Sequence, residues 1–121
     1  MATYAWTIDK LYTKDITEGG STYTDVILRV DSTLTATSET IGSISVTHSA
    51  DLDMNVSNVS NSFTAYGSVT EANLKSWVET RIGSVTLTEI KTSLEAGLEY
   101  LEKINDATAK EDADGNSTFP W

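Results

Sequence analysis

The stretch Thr70–Ile104, TEANLKSWVETRIGSVTLTEIKTSLEAGLEYLEKI, is the helical part of the chain and sets its fold class. Thr70 can cap a first turn, Glu71 sits favourably near that N-terminus, and Leu74, Trp77, Val78 and Ile82 form one apolar stripe. Gly83 supplies the stop, as glycine does just past a helix. A second helix is predicted almost at once. Thr86-x-x-Glu89 reads as a capping box with Val85 stapled against Ile90. Its stripe of Leu87, Ile90, Leu94, Leu98, Leu101 and Ile104 runs for about five turns at the helical period. Two helices joined this closely form an αα-hairpin or corner, and their stripes need an apolar partner.

The first half of the chain supplies that partner. Thr3–Ile8 alternates, with Tyr4, Trp6 and Ile8 on one face, which predicts a half-buried strand. The parity slips at Lys10-Leu11-Tyr12, where a bulge fits. Glu18-Gly19-Gly20-Ser21 then predicts a hairpin turn. Tyr23–Ser32 resumes with Val26, Leu28 and Val30 on one face and Ile27, Arg29 and Asp31 on the other. A reversal is expected near Asp31–Leu34, followed by a third strand over Thr35–His48 with Ile44 and Val46 inward. Ser49–Ser62 has no clean period and suits a short edge strand or an ordered loop. The expected architecture is α+β: a three- or four-stranded antiparallel β-meander packed against a C-terminal pair of α-helices. One domain is expected over 1–109, with an acidic tail over 110–121 ending in Pro-Trp, of which Lys110–Thr118 reads as low-order.

Composition narrows the chemistry. The 121 residues can bury one core, and the 39% hydrophobic content supports it. Cysteine is absent, which excludes disulfides, thiol nucleophiles and zinc–thiolate sites. Eighteen acidic residues against eight basic ones give a formal charge of −10, so direct nucleic-acid binding is not expected. No apolar run approaches the length of a membrane span, and MATYAWTIDK lacks the regions of a signal peptide. The expectation is a soluble protein that stays in the cytoplasm that made it, with no membrane partner.

Candidate chemistry fails motif by motif. His48 is the single histidine; Ser49 and Asp51 are near it, but neighbouring strand residues point to opposite faces and no nucleophile elbow surrounds Ser49. Asp51-Leu52-Asp53-Met54-Asn55 opens like a calcium loop, yet Val56 and Ser62 stand where glycine and glutamate are required. Asp112-Ala113-Asp114-Gly115-Asn116 is a similar fragment, read as a solvated acidic tail. Glu71, Glu79, Glu95, Glu99 and Glu102 fall on helices among Lys75, Lys91 and Lys103, the pattern of an exposed face rather than of paired catalytic carboxylates. A non-enzymatic protein without cofactor or metal is expected. Candidate partner contacts are Leu52, Met54, Val56 and Val59 in the polar loop, and Phe119, Pro120 and Trp121 at the end of the tail. Trp121 gains nothing in free solution, so it either docks back on its own domain, the favoured outcome, or enters a neighbouring subunit.

Trp6, Arg29-Val30, Ile41-Gly42-Ser43-Ile44, Phe63, Tyr66, Thr70-Glu71, Trp77-Val78 and Pro120-Trp121 stand in an order that resembles a family of small uncharacterised proteins of tailed phages, cyanophages among them. Two features depart from that pattern: no glycine turn follows Asp31, and Ser49–Ser62 is unusually polar. The resemblance implies a phage gene product. By analogy it implies a virion component, such as a head decoration, connector or tail-associated subunit, assembled in the host cytoplasm. Its partners would then be other phage structural proteins, in a homo-oligomer or symmetric array. The alternative is an intracellular accessory protein that binds and modulates a host factor through its acidic surface.

Overall fold

Alternation and turn chemistry build a long hairpin first. In a computed structural model, which describes residues 2–54 and 64–121, β1 spans Ala2–Glu18 and β2 spans Ser21–Ser38. Gly19 and Gly20 join them at φ of 59° and 82°, the two consecutive positive values of a type I′ hairpin turn. β3, Ser45–Asp53, lies on the far side of β2, giving a three-stranded antiparallel sheet in the order β1-β2-β3. The C-terminal pair is α1, Glu71–Ile82, and α2, Ser84–Ile104, preceded by a single 3-10 turn at Tyr66–Ser68. The α+β meander with two C-terminal helices is therefore the fold observed.

The strand boundaries differ from expectation in one region. No reversal occurs at Asp31–Leu34: β2 runs straight through, and Thr35–Ser38 belongs to it rather than to a third strand. The polar residues that suggest a turn all find partners within the sheet. Ser32 is fully buried and its hydroxyl donates to the Ala50 carbonyl at 2.8 Å. Arg29 pairs with Asp31 at 2.6 Å, and the Thr33 hydroxyl donates to Asp9 at 2.6 Å. The chain reverses instead after Ser38, whose side-chain oxygen accepts the N–H groups of Thr40 and Ile41 at 3.2 and 2.9 Å. That is the local turn chemistry serine offers. Consequently β3 extends to Asp53, and Ser49–Asp53, read as loop or edge, is edge strand.

Bulges shift the register of the long hairpin. Ile8 pairs with Ser32 but Lys10 pairs with Asp31, so Asp9 is the extra residue and Leu11 returns to the face of Ile8. A second shift between Tyr12 and Thr13 makes Leu28 the extra residue of β2. Ile27, expected on the far face, packs on the core as a result.

The two helix stripes cover the sheet as two adjoining clusters. Leu34 and Ala36 of β2 meet Leu94 and Leu98 of α2; Val30 meets Leu74 and Val78 of α1. Trp6 touches both. Thr70 caps α1, accepting the Asn73 N–H at 3.1 Å, while the Asn73 side chain accepts the Thr70 N–H at 3.1 Å, a reciprocal box.

The predicted box at Thr86 does not form. Gly83 N–H closes α1 on the Glu79 carbonyl and the Gly83 carbonyl receives Leu87 N–H, both at 3.0 Å, so one residue ends one helix and starts the next. α2 therefore begins at Ser84 with no side-chain cap, and Val85 is 72% exposed rather than stapled. Gly83 holds φ 88°, ψ 151°, a region essentially restricted to glycine. An added Cβ would meet no atom within 4 Å, so the cost of Gly83→Ala is backbone strain alone. Urea unfolding of that variant is expected to show a loss of roughly 1–3 kcal/mol.

Candidate interaction surface

The chain end is better ordered than its composition suggests. Lys110–Thr118, read as a low-order tail, closes a small loop: Thr118 N–H donates to the Lys110 carbonyl and Asp112 N–H to the Asn116 carbonyl, both at 2.9 Å, around a bridge between Glu111 and Ser117. The Asp112 carboxylate accepts the N–H groups of Asp114 and Asn116 at 2.9 and 3.0 Å. Those backbone bonds stabilise its charged form and hold its pKa below the ordinary aspartate value. The oxygens that resembled calcium ligands thus serve a turn.

This loop presents Phe119-Pro120-Trp121. The Phe119 and Trp121 rings stack with centroids 5.0 Å apart and planes 15° from parallel. Trp121 is 92% exposed and Phe119 63%, so the expected docking of Trp121 on its own domain does not occur. Stacking shelters part of each ring, but most of the apolar surface faces solvent.

The other candidate contacts separate from it. Leu52 on β3 and Met54 just beyond it are partly buried against the Val30–Leu74–Val78 cluster, and the Met54 N–H donates to the Leu28 carbonyl at 2.9 Å. Both belong to the core rather than to a contact loop. Val56 and Val59 lie outside the described residues.

Past the end of β3 at Asp53 the β1–β2 hairpin runs on to its Gly19-Gly20 turn. Ile16 faces Tyr23 across it, the Thr17 and Thr22 hydroxyls are 3.0 Å apart, and Asp25, at φ 52°, donates its N–H to Asp15 at 2.9 Å. At its base on the open face, Arg29 and Lys10 lie 5.0 and 5.7 Å from the Tyr12 ring centroid. The hydrogen bond and charge of Asp31 raise the Arg29 pKa further.

The remaining candidates do not assemble a reactive centre. His48 is exposed in mid-β3, opposite Leu34, while Ser49 pairs with Thr33 on the opposite face of the sheet. Asp51 lies 3.7 Å from the Arg29 guanidinium. Among the described residues no three acidic or histidine side chains converge as metal ligands would. Also among them, no helix is long and apolar enough to cross a membrane.

Two of the helix glutamates have a role that sequence reasoning missed. Glu79 accepts the Trp6 indole N–H at 2.8 Å, and Glu102 accepts the Ser38 hydroxyl, so each ties a helix to the sheet. Charge patterning places both on the exposed face; only the crossing of α1 and α2 over β1 and β2 shows otherwise.

The chain belongs to the family described as a domain of unknown function (DUF7936), whose model matches residues 1–121. It matches no curated protein and no solved structure significantly.

Proposed function

We propose that this protein is a non-enzymatic structural subunit of a phage particle, a head decoration, connector or tail-associated component acting through protein–protein contacts. The observation that carries the reading is the stacked Phe119–Trp121 pair, exposed at the end of a hydrogen-bonded loop. A buried aromatic side chain of this size gains about 2–3 kcal/mol over an exposed one, and large aromatic anchors dominate binding energy at interfaces. Holding the pair on a closed loop lowers the entropy lost on docking. The acidic surface suits a protein made in quantity, because it opposes nonspecific association.

Quantitative mass spectrometry of purified phage particles tests the reading directly. The protein is expected in the particles in many copies; its absence would sink the virion role and leave the intracellular accessory role. The terminal Phe119–Trp121 arm has its own test. Phe119→Ala/Trp121→Ala is expected to change unfolding free energy by less than about 0.5 kcal/mol, as surface substitutions do, while incorporation into particles is lost. Normal incorporation of that variant would remove the arm from the account.

A further inference from the structure

Among the described residues β1 is one of the sheet's two edge strands, and its backbone polarity can be read from the ladder beside it. Ser38 N–H donates to the Ile44 carbonyl and Met54 N–H to the Leu28 carbonyl, so even-numbered residues of β2 turn their backbone groups toward β3. Antiparallel bonding alternates along a strand, which leaves Thr33, Thr35 and Thr37 to bond β1. Their register partners are Thr7, Ala5 and Thr3. The N–H and C=O groups of Ala2, Tyr4, Trp6 and Ile8 therefore point away from the sheet.

Protection of this edge is uneven. From Asp9 onward β1 carries register shifts and the charges of Lys10, Lys14 and Asp15, and the opposite edge, β3, carries Asp51 and Asp53 at its C-terminal end only. Bulges and charges are the devices that keep strand edges from pairing. Ala2–Ile8 has neither a bulge nor a charge, and no proline. In a chain of net charge −10 this stretch carries no charged side chain of its own; on the helical face Glu79 lies on Trp6, and Lys91 and Glu95 lie beside Tyr4.

We infer that Ala2–Ile8 pairs antiparallel with the same segment of a second copy, about a two-fold axis at Ala5. In this register Tyr4 of one copy bonds Trp6 of the other, and Ala2 bonds Ile8. All four outward-facing residues of each copy are used, whereas a shifted antiparallel register leaves some unpaired. The axis stands perpendicular to the sheet, giving six continuous strands with the helices of both copies on one face. Side-chain parity is preserved: Thr3 meets Thr7 on the open face, and Tyr4 lies beside Trp6 on the helical face. Ala5 meets Ala5 as a non-hydrogen-bonded pair, the arrangement with the shorter Cα separation of about 4.5 Å. That point of closest approach carries the smallest side chain of the Thr3-Ala5-Thr7 row. The pairing goes beyond the proposed virion role and does not depend on the Phe119–Trp121 arm.

Sedimentation equilibrium of the full chain over a dilution series tests it. Wild type is expected at twice the chain mass at the upper concentrations. Ala5 is exposed in the single chain, so Ala5→Lys and Ala5→Glu leave the fold intact by circular dichroism. Each places like charges face to face across the axis and is expected to raise the dimer dissociation constant roughly tenfold or more. An equimolar mixture of the two restores the double mass. Hydrogen exchange on wild type gives a readout free of substitution: the Tyr4 and Trp6 amides become more protected as concentration rises. A wild type of single-chain mass throughout overturns the pairing, as do concentration-independent amides. Charge variants that dimerise like wild type, or a mixture that stays monomeric, overturn the axis at Ala5.

Discussion

Leu34→Ala is expected to destabilise the protein by roughly 2–5 kcal/mol, the range for removing a buried leucine side chain. Leu34 is fully buried at the centre of the middle strand, with Trp6 on β1 and His48 on β3 as its register neighbours. Above it, Leu94 and Leu98 of α2 complete the cluster with Ala36. The cavity left by alanine is walled by two strands and a helix, each held by other contacts, so collapse into it is limited. The loss is a large part of the 5–15 kcal/mol typical of whole domains. Urea unfolding at matched protein concentration measures it, with Val85→Ala as a surface control expected within about 0.5 kcal/mol of wild type. A cost for Leu34→Ala as small as the control's would mean that α2 does not pack on β2 as described.

Trp6 should show the next largest effect, and its two contributions can be separated. Its ring packs on both clusters, while its indole N–H reaches the Glu79 carboxylate of α1. Trp6→Ala is expected to cost about 3 kcal/mol, at the low end for a large aromatic because the side chain is only partly buried. Trp6→Phe keeps most of the packing and loses the hydrogen bond. It should cost about 1 kcal/mol, because the partly exposed Glu79 can recover water as a partner. A double-mutant cycle of Trp6→Phe with Glu79→Ala tests the bond itself, with an expected coupling near 1 kcal/mol. No measurable coupling would make Trp6 a packing residue only.

These two residues also mark how far the sequence can be read. Trp6 was legible as a core residue because strict alternation from Thr3 to Ile8 needs no knowledge of the rest of the chain. The same holds for the Gly19-Gly20 turn, for the slip after Ile8, and for Thr70 as the cap of α1. Each depends on groups a few residues apart. The bond from Trp6 to Glu79 joins residues far apart in sequence and leaves no local trace, so Glu79 reads as another exposed helix carboxylate.

The misplaced reversal has the same origin. Asp31-Ser32-Thr33 looks like a turn because its polar side chains need partners, and sequence alone offers only nearby backbone. The fold offers Ala50 to Ser32 and Asp9 to Thr33, and with those contacts the segment stays extended. The signal for the true reversal was local and present, since Ser38 binds the backbone of Thr40 and Ile41, but Ser38-Glu39-Thr40 is no more polar than Asp31-Ser32-Thr33 and so does not stand out in the sequence. Leu52 and Met54 likewise pass from loop to core once β3 is paired.

At the chain end the roles divide similarly. That Phe119 and Trp121 are large and apolar, and that Gly115 lies among turn-forming residues, follows from the sequence. Whether Trp121 finds a seat on its own domain depends on where the preceding loop leaves it, and that loop directs it into solvent. The sequence by itself determined the α+β class, the hairpin, the two helices and most of the residues that bury, because periodicity, caps and glycine turns are properties of neighbouring residues. Only the tertiary structure decided where β2 ends, which carboxylates bind the sheet, which strands stand at its edges and that the terminal aromatics face outward. Those outcomes depend on hydrogen-bond partners and packing surfaces that distant parts of the chain bring together.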